Sequence, residues 1–196
     1  MDKKDNFYVQ GLIDSLVVPN NPLDRFKTLY EIHTSIANEL EILGVIAVEP
    51  LINALKDKRV EIREFSAVVL GNIGDSHALK PLIIALKDYN PNVRAAAAKA
   101  LGNLGNVKAV RPLIESTKDK SLKVRYFAAK SLGMIGDLEA VESLIELLEE
   151  TLIAKKCGLD IEKASKPYIK DNEDYENIAY FEKHYYRYFV EKYRYV

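Results

Sequence analysis

The sequence contains one cysteine, no tryptophan and no long apolar run, and these absences narrow the class of protein. Cys157 has no second cysteine in the chain to pair with, which excludes an intramolecular disulfide and favours a cytoplasmic location. The first residues lead into no apolar signal-peptide core, and a run of about 18 apolar residues, enough to cross a membrane, is absent. We therefore expect a protein that is neither secreted nor membrane-spanning.

An excess of one charge is also missing. The formal net charge is -1, which argues against a nucleic-acid-binding protein because phosphate binding draws on clustered, uncompensated Lys and Arg. With 48% hydrophobic and 29% charged residues, the 196-residue chain suits one soluble domain or one continuous array. Gln10 is the only glutamine and Lys, Glu and Ile are plentiful, a bias compatible with a heat-adapted source.

A period of 31 residues organises the middle of the chain. The positions that recur at this interval are Pro50, Pro81 and Pro112; Asp57, Asp88 and Asp119; Arg63, Arg94 and Arg125; Gly71, Gly102 and Gly133; and Gly74, Gly105 and Gly136. A fixed period of this length is the sequence signature of stacked repeats.

Each repeat has the pattern of two helices. In one unit the first helix has apolar residues at the i, i+3, i+4, i+7 spacing of a one-sided helix, and Pro81 predicts an irregular turn before it. The second helix, residues 92–104, has a mostly small inner side that lets neighbouring helices approach closely. Because so small a pair cannot bury its own apolar stripe, we expect the pairs to stack into an elongated all-α superhelix.

Three hexapeptides carry a family resemblance: residues 47–52, 78–83 and 109–114, each followed by Val-Arg or Ile-Arg and then Leu-Gly-x-x-Gly. The pattern resembles the HEAT repeat family, in particular the HEAT-like repeats first named from phycobilisome lyases. The resemblance implies an α-α superhelix, a HEAT/armadillo-type solenoid, of about five helical pairs.

One solenoid domain is expected over residues 1–196. Residues 7–44 resemble a degenerate capping repeat, which lacks the Arg, residues 45–149 are the regular repeats, and residues 150–196 form a C-terminal cap. A divergent helix in that cap, residues 173–195, holds seven of the twelve tyrosines. Sealing the array is its favoured role, while occupation of the binding groove and association of two copies are left open.

The recurring charges are interpreted as structural. In the resembled family such Asp and Arg side chains form a ladder along the turns inside the repeats. Charges that return in every unit are more economically a packing device than a set of active sites. The ladder residues are Asp57, Asp88, Asp119, Arg63, Arg94 and Arg125.

Positions that differ between units indicate where a partner binds, because packing residues should repeat and partner-specific residues should not. In the resembled family the second helices line a concave groove. The predicted groove residues are Glu64, Phe65, Val68, Asn72, Asn92, Ala95, Ala96, Lys99, Asn103, Lys123, Tyr126, Phe127, Lys130 and Met134. Phe65, Tyr126 and Phe127 are the expected anchors; the alternative is that Phe65 and Phe127 merely fill gaps between units.

Catalytic signals are poor. His33, His77 and His184 are scattered, and the chain lacks both HExxH and a phosphate-binding glycine loop. It also lacks the His-Glu dipeptides by which the deoxyhypusine hydroxylases of this repeat family bind iron, and Cys157 fits a packed small residue better than a nucleophile. We therefore expect no cofactor, no metal and a non-catalytic scaffold or adaptor that binds a protein or peptide. A lyase-type enzyme or enzyme accessory, similar to the bilin lyases, and nucleic-acid binding are the alternatives.

Overall fold

A computed structural model of the chain describes residues 3–16, 27–140 and Leu144. These residues form helices and turns without a strand, as the sequence predicts. The helices are α1 (Lys3–Ser15), α2 (Lys27–Leu43), α3 (Val45–Ala54), α4 (Val60–Ile73), α5 (Leu79–Ala85), α6 (Pro91–Leu104), α7 (Val110–Ser116) and α8 (Leu122–Ile135). The tyrosine-rich segment and most of the predicted C-terminal cap lie outside the described residues.

The repeated glycines and polar residues set the helix ends. Gly105 closes α6 in the left-handed conformation, with φ 64°, and its N–H bonds to the Leu101 carbonyl oxygen. A 3-10 turn follows, Val107–Ala109, which begins where the Asn106 side chain accepts a hydrogen bond from the Lys108 N–H. The corresponding turn Ser76–Ala78 precedes α5 and its Pro81, so the irregular turn expected there is confirmed.

Helices pair within a unit and stack between units. Helices α3 and α4, α5 and α6, and α7 and α8 pack as hairpins, while α1 and α2 pack against α3 and α4. One continuous apolar core runs through all four pairs. Its fully buried leucines are Leu40, Leu51, Leu70, Leu82, Leu101, Leu113 and Leu132. Each pair thus buries its apolar side against its neighbours, as a repeat array requires.

The second helices lie unusually close together because glycines stand between them. A Cβ added to Gly71 would lie 2.6 Å from the Cα of Ala100, and one added to Gly102 would lie 2.7 Å from the Cβ of Ser131. Helices α4, α6 and α8 contact one another along their length, whereas α3, α5 and α7 touch one another far less. Close spacing on one side and wide spacing on the other curve the array, with the second helices on its inner side.

Adding one methyl group at this contact should therefore separate α4 from α6. We expect Gly71→Ala to lower the free energy of unfolding by about 1–3 kcal/mol, despite the better helix propensity of alanine, because the backbone of α6 blocks the new Cβ. The same substitution at Gly11 in α1, where nothing lies within 4 Å, should raise stability by about 0.5–1 kcal/mol. Urea denaturation followed by circular dichroism measures both, and equal effects of the two changes would contradict the close-contact interpretation.

Candidate binding groove

Buried Arg–Asp pairs connect neighbouring units on the side of the array where the second helices begin. The Arg63 guanidinium donates from Nε and Nη2 to the Asp88 carboxylate at 2.7 and 3.0 Å. Its Nη1 donates to the carbonyl oxygens of Asp57 and Lys58, at 2.8 and 3.2 Å, in the turn of its own unit. One side chain therefore fixes its own turn and attaches it to the next.

The next unit repeats this arrangement. Arg94 donates to the Asp119 carboxylate at 2.7 and 2.9 Å, and to the Asp88 carbonyl oxygen at 2.8 Å. Arg125 donates to the carbonyl oxygen of Asp119 at 2.9 Å. The family resemblance implied an Asp–Arg ladder inside each repeat, and the structure shows that the ladder also joins each repeat to the next. The position 31 residues before Arg63 is an isoleucine, Ile32, and Asp57 pairs with Arg59 instead, at 2.7 and 2.8 Å.

The ladder carboxylates are held in their ionised form. Burial alone would raise the pKa of Asp88 and of Asp119, but the arginine forks and the backbone N–H groups that each accepts outweigh it and lower both pKa values. Hydrogen bonds from Arg59 lower the pKa of Asp57 to about 2. These residues satisfy one another and the turn backbone, which fits the predicted structural role.

The predicted groove residues separate into three classes. Asn72, Asn92, Lys99, Asn103 and Met134 are exposed, and Glu64, Phe65, Val68, Lys123, Phe127 and Lys130 are half-buried. Ala95, Ala96 and Tyr126 are buried. The first two classes, together with exposed Glu61, lie along α4, α6 and α8, and we call this surface the groove.

Tyr126 is not the exposed anchor that variability between units suggested, because only 8% of it is accessible. Phe65 and Phe127 are half-buried and pack against the core. Part of each ring therefore fills space between units, and the rest stays accessible. The Phe65 ring meets His33 edge-on with centroids 5.9 Å apart, and Phe127 meets Tyr126 in the same manner at 5.0 Å. The groove therefore has firmly packed aromatic walls rather than protruding anchors.

Charge is polarised along the groove. Glu61 and Glu64 stand on α4, whereas Lys99 is on α6 and Lys123 and Lys130 are on α8. Burial raises the pKa of the Glu64 carboxyl, and the charge of Lys123, two units away, opposes that rise. The Glu64 carboxyl and the Lys123 ammonium group therefore interact electrostatically across the small side chains of α6.

The side chains of the basic end are held in place. Lys123 donates from Nζ to the side-chain oxygen of Asn92 in the neighbouring unit at 3.3 Å. The Nζ of Lys130 lies 6.0 Å from the centroid of the Tyr126 ring, within cation–π range. On the acidic side, Asn72 donates to the Glu41 carboxylate at 2.7 Å. Polar contacts between equivalent positions thus order the groove before any partner arrives.

The sequence carries a matching signal that the net charge conceals. Residues 1–75 hold eight basic and twelve acidic side chains, a formal balance of -4, whereas residues 76–137 hold eleven basic and four acidic ones, a balance of +7. Counting charge by repeat rather than by chain would have revealed this polarity. The charged side chains on the groove surface show the same polarity.

Potential metal ligands do not cluster within the described part of the chain. No three His, Cys, Asp or Glu side chains come close enough there to hold a metal ion. His33 packs beside Phe65, and the exposed His77 ring contacts the Asp75 carboxylate at 2.7 Å. Cys157 and His184 lie outside the described residues. Within those same residues, helices long and apolar enough to span a bilayer are absent.

Family and structural comparisons agree with this architecture. The family model described as HEAT repeats matches residues 48–122 and, in a second overlapping match, residues 79–152, which together cover more than half of the chain. The chain belongs to the HEAT repeat family. No curated protein matches it significantly.

Among solved structures, the chain is similar to one from the complex of CpcE and CpcF of phycocyanin lyase from Nostoc sp. PCC7120. The TM-score is 0.59 at 26% identity, covering 78% of this chain and 91% of that one. An engineered protein matches with a TM-score of 0.47 at 20% identity, covering 71% and 68% of the two chains. A designed armadillo repeat protein in complex with the peptide (KR)4 matches with a TM-score of 0.45 at 19% identity, covering 71% and 70%.

Removing a ladder arginine should destabilise the whole array. Arg94→Ala leaves the half-buried Asp119 carboxylate without its guanidinium partner, and we expect a loss of about 1–3 kcal/mol of unfolding free energy. Arg111→Ala is the matched control, since the Arg111 side chain is 82% exposed where it pairs with Glu139, and should cost at most about 1 kcal/mol. Unchanged thermal stability of Arg94→Ala, combined with lost partner binding, would refute the structural role.

The lowered pKa values also predict acid sensitivity. A carboxylate whose pKa is depressed by folding adds stability above its unfolded pKa of about 3.9, and that stability disappears as the pH falls through the folded value. For Asp57 the loss should occur between about pH 4 and pH 2. Urea unfolding across this range should show a smaller change for Asp57→Asn than for the unaltered chain. An identical change in both would show that Asp57 does not contribute.

Proposed function

We propose that this protein is a non-catalytic scaffold or adaptor that binds a segment of another protein in the groove. The observation that carries the proposal is that α4, α6 and α8, which share one packing scheme, present unlike side chains on the same inner surface. Packing gives no reason for exposed equivalent positions to differ between units. Glu61, Asn92 and Lys123 occupy equivalent positions, lie at the surface or half-buried, and differ in charge, so their differences are best explained by a partner.

The shape and chemistry of the groove suit a protein segment. Half-buried Phe65, Val68 and Phe127 give apolar contact area, and the surrounding amides and charges can set register and direction. Nucleic acid fits less well, because Glu61 and Glu64 on α4 would repel a phosphate backbone that followed the groove. A curved array also offers an extended surface without a deep pocket.

Affinity capture with two matched variants tests the groove. We expect Lys99→Ala/Asn103→Ala/Met134→Ala, three exposed groove residues, to lose bound proteins that the unaltered bait retains. Lys80→Ala/Ile84→Ala/Lys87→Ala removes three exposed side chains on or beside α5, on the opposite side, and should retain them. Truncating a few central contacts commonly costs roughly 1–2 kcal/mol each, a loss of tenfold or more in affinity for the set.

A titration of the purified partner with each bait then gives the dissociation constants. If both variants bind with the affinity of the unaltered chain, or if only the α5 variant loses binding, the groove is not the partner site. Thermal melting of both variants serves as the folding control, and all six positions are exposed enough that little change is expected.

A lyase-type enzyme or enzyme accessory is the second candidate. It is supported by the similarity to a chain of the phycocyanin lyase complex, which extends over most of both chains. Tetrapyrrole that co-purifies with the protein, detected by its visible absorption, would favour this function over a pure scaffold. A colourless protein that captures a partner through the groove would favour the scaffold.

A further inference from the structure

We propose that the groove accommodates this chain's own residues 171–194, which would therefore compete with an external partner. This inference rests on the proposed binding groove and identifies its intramolecular occupant. The described part of the structure supplies the receiving surface, and the sequence supplies the complementary segment.

The charge order of the segment matches that of the groove. Residues 171–182 contain five acidic side chains and no Lys or Arg, whereas residues 183–194 contain four Lys and Arg and one Glu. In the groove the basic side chains stand on α6 and α8 and the acidic ones on α4. A segment lying along the array with its acidic half over α8 would place its basic half over α4.

The direction of the chain supports the same arrangement. The described residues end just beyond α8 at Leu144, which is buried in the core, so a later segment that returns along the groove from this end reaches Lys123 and Lys130 first and Glu64 last. Its acidic half comes first in sequence. The acidic-to-basic order is therefore the one that opposite charges require, and a reversed order would place like charges together.

The intervening chain is long enough. Residues 145–170 separate Leu144 from the segment, and even at a helical rise of about 1.5 Å per residue they span nearly 40 Å. The distance from α8 to α4 is two interhelix spacings of about 8–10 Å each. Because both partners belong to one chain, the local concentration of the segment is on the order of millimolar. Individually weak charge pairs then suffice for occupancy.

Aromatic content adds apolar contact to this charge matching. The segment contains Tyr175, Tyr180, Phe181, Tyr185, Tyr186, Tyr188, Phe189 and Tyr193. The groove offers the half-buried rings of Phe65 and Phe127 and the exposed thioether of Met134, and such surfaces favour tyrosine and phenylalanine. The sequence therefore supplies both kinds of contact that the groove can make.

Zero-length cross-linking of the full chain tests the proposal. A carbodiimide joins carboxylates to nearby amines, and mass spectrometry identifies the joined residues. We expect links from Lys99, Lys123 or Lys130 to acidic residues among 171–182, and from Glu61 or Glu64 to Lys183 or Lys192. Links of residues 171–194 only to α7, to α5 or to the outer surface would overturn the proposal.

Charge reversal provides a sharper readout at the far end of the groove. Lys123→Glu/Lys130→Glu leaves the reactive pair Glu64 and Lys192 intact, yet should lower the yield of their cross-link roughly fivefold, since each exposed ion pair contributes about 0.5 kcal/mol. Adding Glu173→Lys/Asp174→Lys should restore that yield, which a misfolded variant would not do. Lys80→Glu/Lys108→Glu, two exposed lysines outside the groove, is the matched control and should leave it unchanged.

Mixed isotopic labelling distinguishes one chain from two. Cross-links within single-label molecules support the proposal, whereas links that join labelled to unlabelled chains would show that a second copy supplies the segment and overturn it. Failure here is separable from failure of the proposed function, because the variant at Lys99, Asn103 and Met134 would still lose captured partners if residues 171–194 bound elsewhere.

Discussion

The close approach of α4, α6 and α8 is the constraint on which the rest of the structure depends. Gly71 and Gly102 remove the side chains that would hold these helices apart, whereas the shorter first helices touch one another far less. The difference curves the array and creates an inner surface. It also explains why the aromatic rings of that surface, Phe65, Tyr126 and Phe127, are packed against neighbouring side chains instead of projecting into solvent.

The Arg–Asp ladder complements this contact from the side where the second helices begin. Arg63 and Arg94 each bind a carboxylate of the following unit while holding the turn of their own, so the spacing between units is fixed at two places, by the glycines along the helices and by the guanidinium forks at their starts. Such buried pairs need partners with good geometry to offset desolvation. Because each unit is held to the next at these two places, the repeat itself fixes how the groove residues are oriented.

The sequence predicts the architecture well because a 31-residue period leaves little freedom. Helix ends at Gly74 and Gly105, pairing within units and the all-α superhelix follow from local patterns. The groove is predicted less completely, because variability was equated with exposure. Ala95 and Tyr126 occupy equivalent positions on neighbouring helices, and both are buried despite their unlike sizes. At such positions a small side chain on one helix makes room for a large one on the next, and only three-dimensional spacing shows it.

Charge illustrates the opposite case, in which the sequence held the information and a whole-chain sum concealed it. A formal net charge of -1 describes a protein whose residues 76–137 carry +7, and forces between side chains depend on local charge because solvent and salt screen distant groups beyond about 8–10 Å. Opposite charges at the two ends of the groove give it a direction as well as an affinity. A segment of uniform charge would gain at one end what it lost at the other, so the proposed binding would select for segments whose own charge changes sign along their length.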